Sequence, residues 1–427
     1  MEDKNIILNK STFEFPNEKI KLTLIHRKLQ LHLRTSFNTS HSNSTIRNNS
    51  LIIIKIEGKY NLYGLGESGL PPKKKDCYLA DINDIKNYIN SYSLHLKNII
   101  DKNEEIKEEN FPIKNLPKFI YILIYALDTC PSNNEEYYNC ARNCIEGAIF
   151  DLSGKIKEKS LISLINNINE DNFPIKKAFY TISILEKDEF LKSLNFGLKY
   201  TQYLKIKLNK DFNHTKSSLE LLNKEISKIP NYKGKWSIDL NSDFSNVEDC
   251  INLIKNIILN YKDKIYMIEQ PFPINIIKQS KEEIEKWIKV KELCEENNIL
   301  IFADESISTI NSIEPISKIV SGINIKLEKC GGIRNAINCI KKGKELNLII
   351  WIGCMVGSTL LMNMASCFLP SCIYSDLDGQ LLIDDESNPF YGGFKWDLDK
   401  GIILGNDYGI GVKVKDGFFR FDFFFFF

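Results

Sequence analysis

Three carboxylates stand at the ends of three successive apolar runs: Asp239 in WSIDLN, Glu269 in YMIEQP and Asp304 in LIFADES. Brought together in a low-dielectric site they repel one another strongly unless a cation sits among them. Hard oxygen donors with no cysteine or histidine beside them suit Mg²⁺ rather than zinc. Lys207 ends the run before them, YLKIKL, and Lys326 lies near the end of the run after them, GINIKL. Two amines on opposite sides of a metal fit removal of a proton from one face of a carbon and its return to the other. A carbon acid next to a carboxylate is far too weak to lose its proton to a free amine in water. A metal holding that carboxylate stabilises the enediolate, and positive charge from Lys205 and the metal lowers the pKa of the lysine. One acid or lysine in such a place is usually a helix cap or solvated surface, so the reading rests on the set.

These residues need elements that bring run ends to one place. From about Ala178 eight runs recur about every 20 to 35 residues: AFYTISI, YLKIKL, WSIDLN, YMIEQP, LIFADES, GINIKL, LIIWIGC and YSDLDG. That is the rhythm of βα units in a closed parallel barrel, whose strand C-termini build the active site. Strand alternation sends Lys205 and Lys207 to one side, and likewise Asp239 with Asn241 and Asp376 with Asp378. The stretches between runs supply helices, as at 281–298, where Ile284, Trp287, Ile288, Val290 and Leu293 mark an apolar face. Before about residue 165, strand-like runs and helical stretches read as a separate α+β domain. Thr35 to Ser50 is rich in Ser, Thr and Asn and reads as an exposed mobile loop, either facing the substrate or simply drifting in composition. GLGES, Gly64 to Ser68, reads as a loop presented to the barrel mouth. Pro71 and a lysine run follow it rather than a helix, so it is no dinucleotide fingerprint.

The 427 residues are 43% hydrophobic and 26% charged, a globular balance. A net charge of +1 provides no field to gather nucleic acid or an acidic membrane surface. Eleven cysteines without a CxxC pair suggest reduced thiols and a cytoplasmic compartment. No secretory leader is visible, and Leu348 to Tyr374, although uncharged, reads as a buried strand and helix rather than a membrane span. The last of five histidines is His214, which excludes a histidine base late in the barrel, and GxSxG, Walker and HExxH motifs are absent.

KIKL, DLN, IEQP, ADES and NIKLEKCGG, in that order and spacing, resemble the enolase superfamily, specifically its muconate-lactonizing-enzyme subgroup with the K-x-K motif. GLGES is similar to that family's second capping-domain loop, EGAIFDLSGK to a helix before the barrel, and YGIGVKV to its closing strand. IGCMVGS and DLDG, Asp376 to Gly379, resemble the dipeptide epimerases. The resemblance implies an α/β fold, a modified (β/α)7β barrel with an α+β capping domain built from the N-terminal part and the C-terminal tail. The implied boundaries are 1–165, 166–385 and 386–427. It implies one Mg²⁺ per subunit on Asp239, Glu269 and Asp304, with Lys207 and Lys326 as acid/base pair. Lys205 then tunes Lys207 and orients the substrate carboxylate, Asp376 and Asp378 bind an α-ammonium group, and Cys354, Met355 and Asn241 are further substrate contacts. The implied reaction is 1,1-proton transfer at the α-carbon of the C-terminal residue of a dipeptide. An N-acylamino acid racemase, o-succinylbenzoate synthase, cycloisomerase or non-catalytic binding protein stays open, as does a homo-oligomer. Two positions depart from the pattern. Gly357 stands where many relatives have a glutamate, and Ser42 where members that take a glutamyl dipeptide carry an arginine, although Arg34 and Arg47 are near. The terminal FDFFFFF fits a strand extension, an oligomer contact or an aggregation-prone tail.

Overall fold

A computed structural model of the chain describes residues 6–40, 42–74, 77, 80–103, 106, 111–131, 137–273 and 280–418. Four strands, β1 (Ile7–Phe15), β2 (Ile20–Thr39), β3 (Ser42–Gly58) and β4 (Leu62–Ser68), form an antiparallel sheet in chain order. Helices α1 (Ile82–Lys102), α2 (Lys118–Asp128) and α3 (Asn139–Ile156) follow. Asp81 and Asp84 form a capping box that starts α1, and Asn103 in the left-handed region ends it.

GLGES is strand β4, not a loop. Its two glycines, spaced by two, face the same way, toward α3. A Cβ on Gly64 would stand 2.1 Å from the Ala148 carbonyl oxygen, and one on Gly66 would stand 2.0 Å from that of Cys144. The glycines serve close strand–helix approach, a packing role that short-range turn signals do not reveal. Thr35 to Ser50 also departs from expectation. It is the far end of the β2–β3 hairpin, with Phe37 opposite Ser44, Asn38 opposite Asn43 and Thr39 opposite Ser42, beyond an irregularity between His32 and Phe37. Most of it is part-buried or exposed, but Arg47, Asn49 and Ser50 are buried, and the backbone ladder pairs 42–44 with 37–39.

All eight barrel runs form parallel strands: β5 (Tyr180–Ile182), β6 (Leu204–Lys207), β7 (Trp236–Asp239), β8 (Ile265–Glu269), β9 (Leu300–Ala303), β10 (Gly322–Ile325), β11 (Ile349–Ile352) and β12 (Tyr374–Ser375). Neighbours in sequence are neighbours in the sheet. Ala178 bridges Ser375, and Phe179 N–H donates to the Ser375 carbonyl at 2.8 Å, joining first strand to last. Phe179, Met267, Phe302 and Trp351 form a buried cluster of their own, and Phe179 meets Trp351 at 4.8 Å although β12 lies between their strands. Such contact is possible only across the lumen, so the barrel floor is plugged by aromatic rings.

The helix Lys281–Glu296 buries Trp287, Val290 and Cys294, whereas Ile288 is 37% exposed, so its apolar face is narrower than the pattern suggests. The uncharged segment from Leu348 contains β11 and the helix Thr359–Ser366, and among the described residues no helix is long and apolar enough to cross a membrane. Near the C-terminus Phe390–Gly392 pairs with Val412–Val414, and the intervening chain returns to α3, where Ile410 N–H donates to Asp151 Oδ1 at 2.8 Å. The terminal FDFFFFF lies outside the described residues.

Candidate active site

Register assembles the site. Lys207 is paired with Asp239 across β6 and β7, and Asp239 with Glu269 across β7 and β8. Asp304 follows β9 directly. Asp239, Glu269 and Asp304 are at most 1% exposed, and one carboxylate oxygen from each lies within 4.8 Å of the others. Lys207 Nζ donates to Asp239 Oδ2 at 2.6 Å and to Asn241 Oδ1 at 3.0 Å. On the other flank Lys326 Nζ donates to Asp304 Oδ2 at 2.7 Å. Lys205 lies between, donating to Glu269 Oε1 at 2.9 Å and Asp376 Oδ2 at 2.8 Å, with Asp239 Oδ2 at 3.5 Å.

Electrostatics single out Glu269. Burial raises all three carboxyls. At Asp239 the charges of Lys207 and Lys205 outweigh it, and at Asp304 those of Lys326, Lys329 and Lys205 do, leaving both below the ordinary range. Glu269 has Lys205 but also faces Asp239, Asp304 and Asp376, and is pushed up to about 8. Its Oε2 lies 2.9 Å from Lys205 Nζ yet is buried without a well-aligned hydrogen bond. Three buried carboxylates with one oxygen each within 4.8 Å of the others form an all-oxygen donor set that fits a hard divalent cation.

Above the triad lies a cavity lined from the barrel by Lys205, Lys207, Asn241, Asp304, Lys326, Cys354, Met355, Asp376 and Asp378. Asp239 and Glu269 sit beneath it. The capping sheet contributes Phe37, Thr39, Ser42 and Arg47, so the hairpin end faces the cavity. Arg34 is engaged elsewhere, with Asp385 at 2.6 Å and the Leu381 carbonyl at 3.1 Å. Arg47 is buried, stacks 5.6 Å from the Phe37 ring centre, and makes no ion pair among the described residues; burial pushes its guanidinium down to about 10.

Asp376 and Asp378 both reach the cavity, under different constraints. Asp376 has both oxygens engaged, Oδ2 by Lys205 and Oδ1 by the Trp351 indole N–H at 2.6 Å. Asp378 accepts the Thr181 N–H at 2.5 Å, and burial with Asp376 nearby pushes it up to about 7. The Cys354 thiol donates to the Asp376 carbonyl at 3.1 Å and is pushed well above its ordinary pKa by burial, which leaves it no thiolate character.

Two residues of the site were not picked out from the sequence. Lys329 bonds the second Asp304 oxygen from one helical turn beyond Lys326, inside LEKCGG. Trp351 points inward at the centre of its run, a position that alternation could have flagged.

A closed parallel barrel with carboxylates at successive strand ends, lysines on both flanks and a roof of antiparallel sheet defines a capped-barrel enzyme. No family model matches the chain. It is 35% identical over 438 residues to an enolase superfamily member of Dictyostelium discoideum, covering 94% of this chain and 98% of that one. An L-Ala-D/L-Glu epimerase of Bacteroides thetaiotaomicron is 26% identical over 397 residues, covering 92% of this chain and 88% of that protein. Among solved structures, the dipeptide epimerase of Enterococcus faecalis V583, complexed with Mg and L-Leu-L-Tyr, shares the fold with a TM-score of 0.69 at 20% identity, covering 91% of this chain and 98% of that one. The chain belongs to the enolase superfamily, among its isomerases.

Proposed function

We propose that this protein is a Mg²⁺-dependent dipeptide epimerase that inverts the α-carbon of the C-terminal residue by 1,1-proton transfer. The observation that carries the reading is the placement of Lys207 and Lys326 on opposite flanks of one buried carboxylate triad, each hydrogen-bonded to a different outer member. Mg²⁺ held by Asp239, Glu269 and Asp304 would supply positive charge to the substrate carboxylate and offset the negative charge that now keeps Lys326 protonated. Lys326 is raised well above its ordinary pKa: burial lowers it, but Asp304, Asp376 and Glu269 more than compensate. Lys207 serves one face of the α-carbon and Lys326 the other, while Lys205 holds the substrate carboxylate between them.

The N-terminal ammonium falls to Asp378 first, because both oxygens of Asp376 already accept hydrogen bonds. Arg47, a buried cation at the cavity without an acidic partner among the described residues, favours a side chain that carries negative charge. The same reading takes domain limits near residues 165 and 385, one Mg²⁺ per subunit and a cytoplasmic location, the last supported by eleven free cysteines.

Exchange of the α-proton in D₂O across a panel of free dipeptides and N-acylamino acids tests the proposal. Exchange on a free dipeptide, abolished by EDTA, is the expected result. Faster turnover of an N-acylamino acid than of every free dipeptide assigns the protein instead as an N-acylamino acid racemase.

A further inference from the structure

Glu67 and Gly357 meet where the capping sheet lies on the barrel, and the chemistry above uses neither. Glu67 is fully buried and makes no ion pair among the described residues. Its carboxylate accepts hydrogen bonds from Asn49 Nδ2 at 2.8 Å, from the Ser358 backbone N–H at 3.1 Å and from the Ser358 hydroxyl. Asn49, also fully buried, donates in addition to the Val356 carbonyl at 3.1 Å and accepts the Leu70 N–H at 3.1 Å. A Cβ at residue 357 would stand 2.3 Å from Leu361 Cδ2 and 3.0 Å from Glu67 Oε1. Glycine there leaves room for the Leu361 side chain and, beside it, the Glu67 carboxylate.

We propose that Asn49 and Glu67 are positioning residues for the substrate, acting through the loop after β11. That loop places Cys354, Met355 and Val356 in the cavity wall, and Val356 and Ser358 are the groups that Asn49 and Glu67 hold. Asn49 lies two residues after Arg47 on β3, so the two leave the strand on the same face. Arg47 forms cavity wall from the cap while Asn49 fixes cavity wall from the barrel, so a single amide sets the spacing between the two. Buried polar groups that satisfy only one another tolerate little displacement, since each would be left unpaired in a dry seam. The proton-transfer lysines stand on other strands and are untouched.

The inference rests on the dipeptide reading only for its kinetic arm. Asn49→Asp keeps the shape but turns an acceptor toward Glu67 and Val356. It is expected to raise KM about tenfold or more, with kcat within about twofold and Mg²⁺ affinity unchanged. Glu67→Gln, which keeps an acceptor for Asn49 and for the Ser358 N–H, should stay within about threefold of wild type in KM. Backbone hydrogen exchange in residues 353–358 should accelerate at least about tenfold in Asn49→Asp and stay constant in 236–239. If Asn49→Asp does not fold, Ser358→Ala is read by the same criteria. A fall in kcat at constant KM, or unchanged exchange in 353–358, overturns the proposal. A wild type that exchanges no dipeptide overturns the functional reading instead, and the hydrogen-exchange arm then decides the positioning role.

Discussion

At the scale of residues, the site is a balance of closely spaced opposite charges. Asp304 accepts from both Lys326 and Lys329, so replacing it removes one of the three proposed metal ligands and leaves two buried amines without their counter-charge. Asp304→Asn is therefore expected to lose Mg²⁺ binding in calorimetry and at least about 10³-fold in kcat/KM, roughly 4 kcal/mol of transition-state stabilisation. The lysines separate by stereochemistry. Lys207→Ala and Lys326→Ala should each stop epimerisation, while each still exchanges the α-proton of one stereoisomer only. Equal loss of exchange for both isomers in both variants speaks against two bases. Asp378 gives two pH effects of opposite sign. Its folded pKa of about 7 lies above the ordinary carboxylate range, so the stability it contributes is complete at low pH and is lost as pH rises through about 7. Ammonium binding needs the ionised form, so KM for free dipeptides should fall over the same interval. Asp378→Asn should flatten both trends and lower kcat/KM about 10- to 150-fold for free dipeptides, but much less for their N-acetylated forms.

At the scale of elements, the β2–β3 hairpin belongs in this proposal to specificity rather than chemistry, since it lines the cavity but supplies none of the acids or lysines of the triad region. Its base carries buried Leu22, Leu24, Leu51 and Ile53, while Phe37, Thr39 and Ser42 near its end line the cavity. Replacing residues 38–43 with a tight Asn-Gly turn should leave Tm within about 3 °C, because little core is lost, yet raise KM about tenfold and blunt discrimination among dipeptide side chains. A fall in kcat with unchanged KM and selectivity would place the hairpin in the chemistry instead. The composition of this segment reads as a loop because Ser, Thr and Asn are common turn residues, yet Asn49 and Ser50 are fully buried on β3. Register with a partner strand, not composition, decides whether exposed chain is regular.

At the scale of the whole molecule, cap and barrel are joined by a partly buried ionic cluster. Arg334, at the start of the barrel helix Ile333–Glu345, donates to both oxygens of Asp128 on α2, at 2.8 and 2.7 Å, and to Glu146 on α3. Glu146 is 2% exposed and also accepts the Arg334 N–H at 3.2 Å. Arg334→Ala leaves that carboxylate buried and unpaired, and is expected to cost about 3–5 kcal/mol in urea denaturation. Arg334→Met with Glu146→Gln should recover much of the loss.

What the sequence determined by itself is local and periodic: eight strand runs, the acids and lysines that end them, and the helix EGAIFDLSGK, now within α3. Strand alternation and barrel rhythm act over a few residues at a time, so they are written in the chain. The sequence also contained Lys329, Glu67 and Asn49, but nothing near them in the chain assigns their work, and alternation marks Trp351 as inward without naming its partner. Asn49 meets Val356 across 307 positions, and Trp351 meets Asp376 only because two parallel strands lie side by side. Only the tertiary structure decided which carboxylates are already satisfied and which remain for a ligand. Hydrogen-bond satisfaction and burial depend on neighbours that arrive from distant segments, and desolvation has no counterpart in the order of residues along the chain.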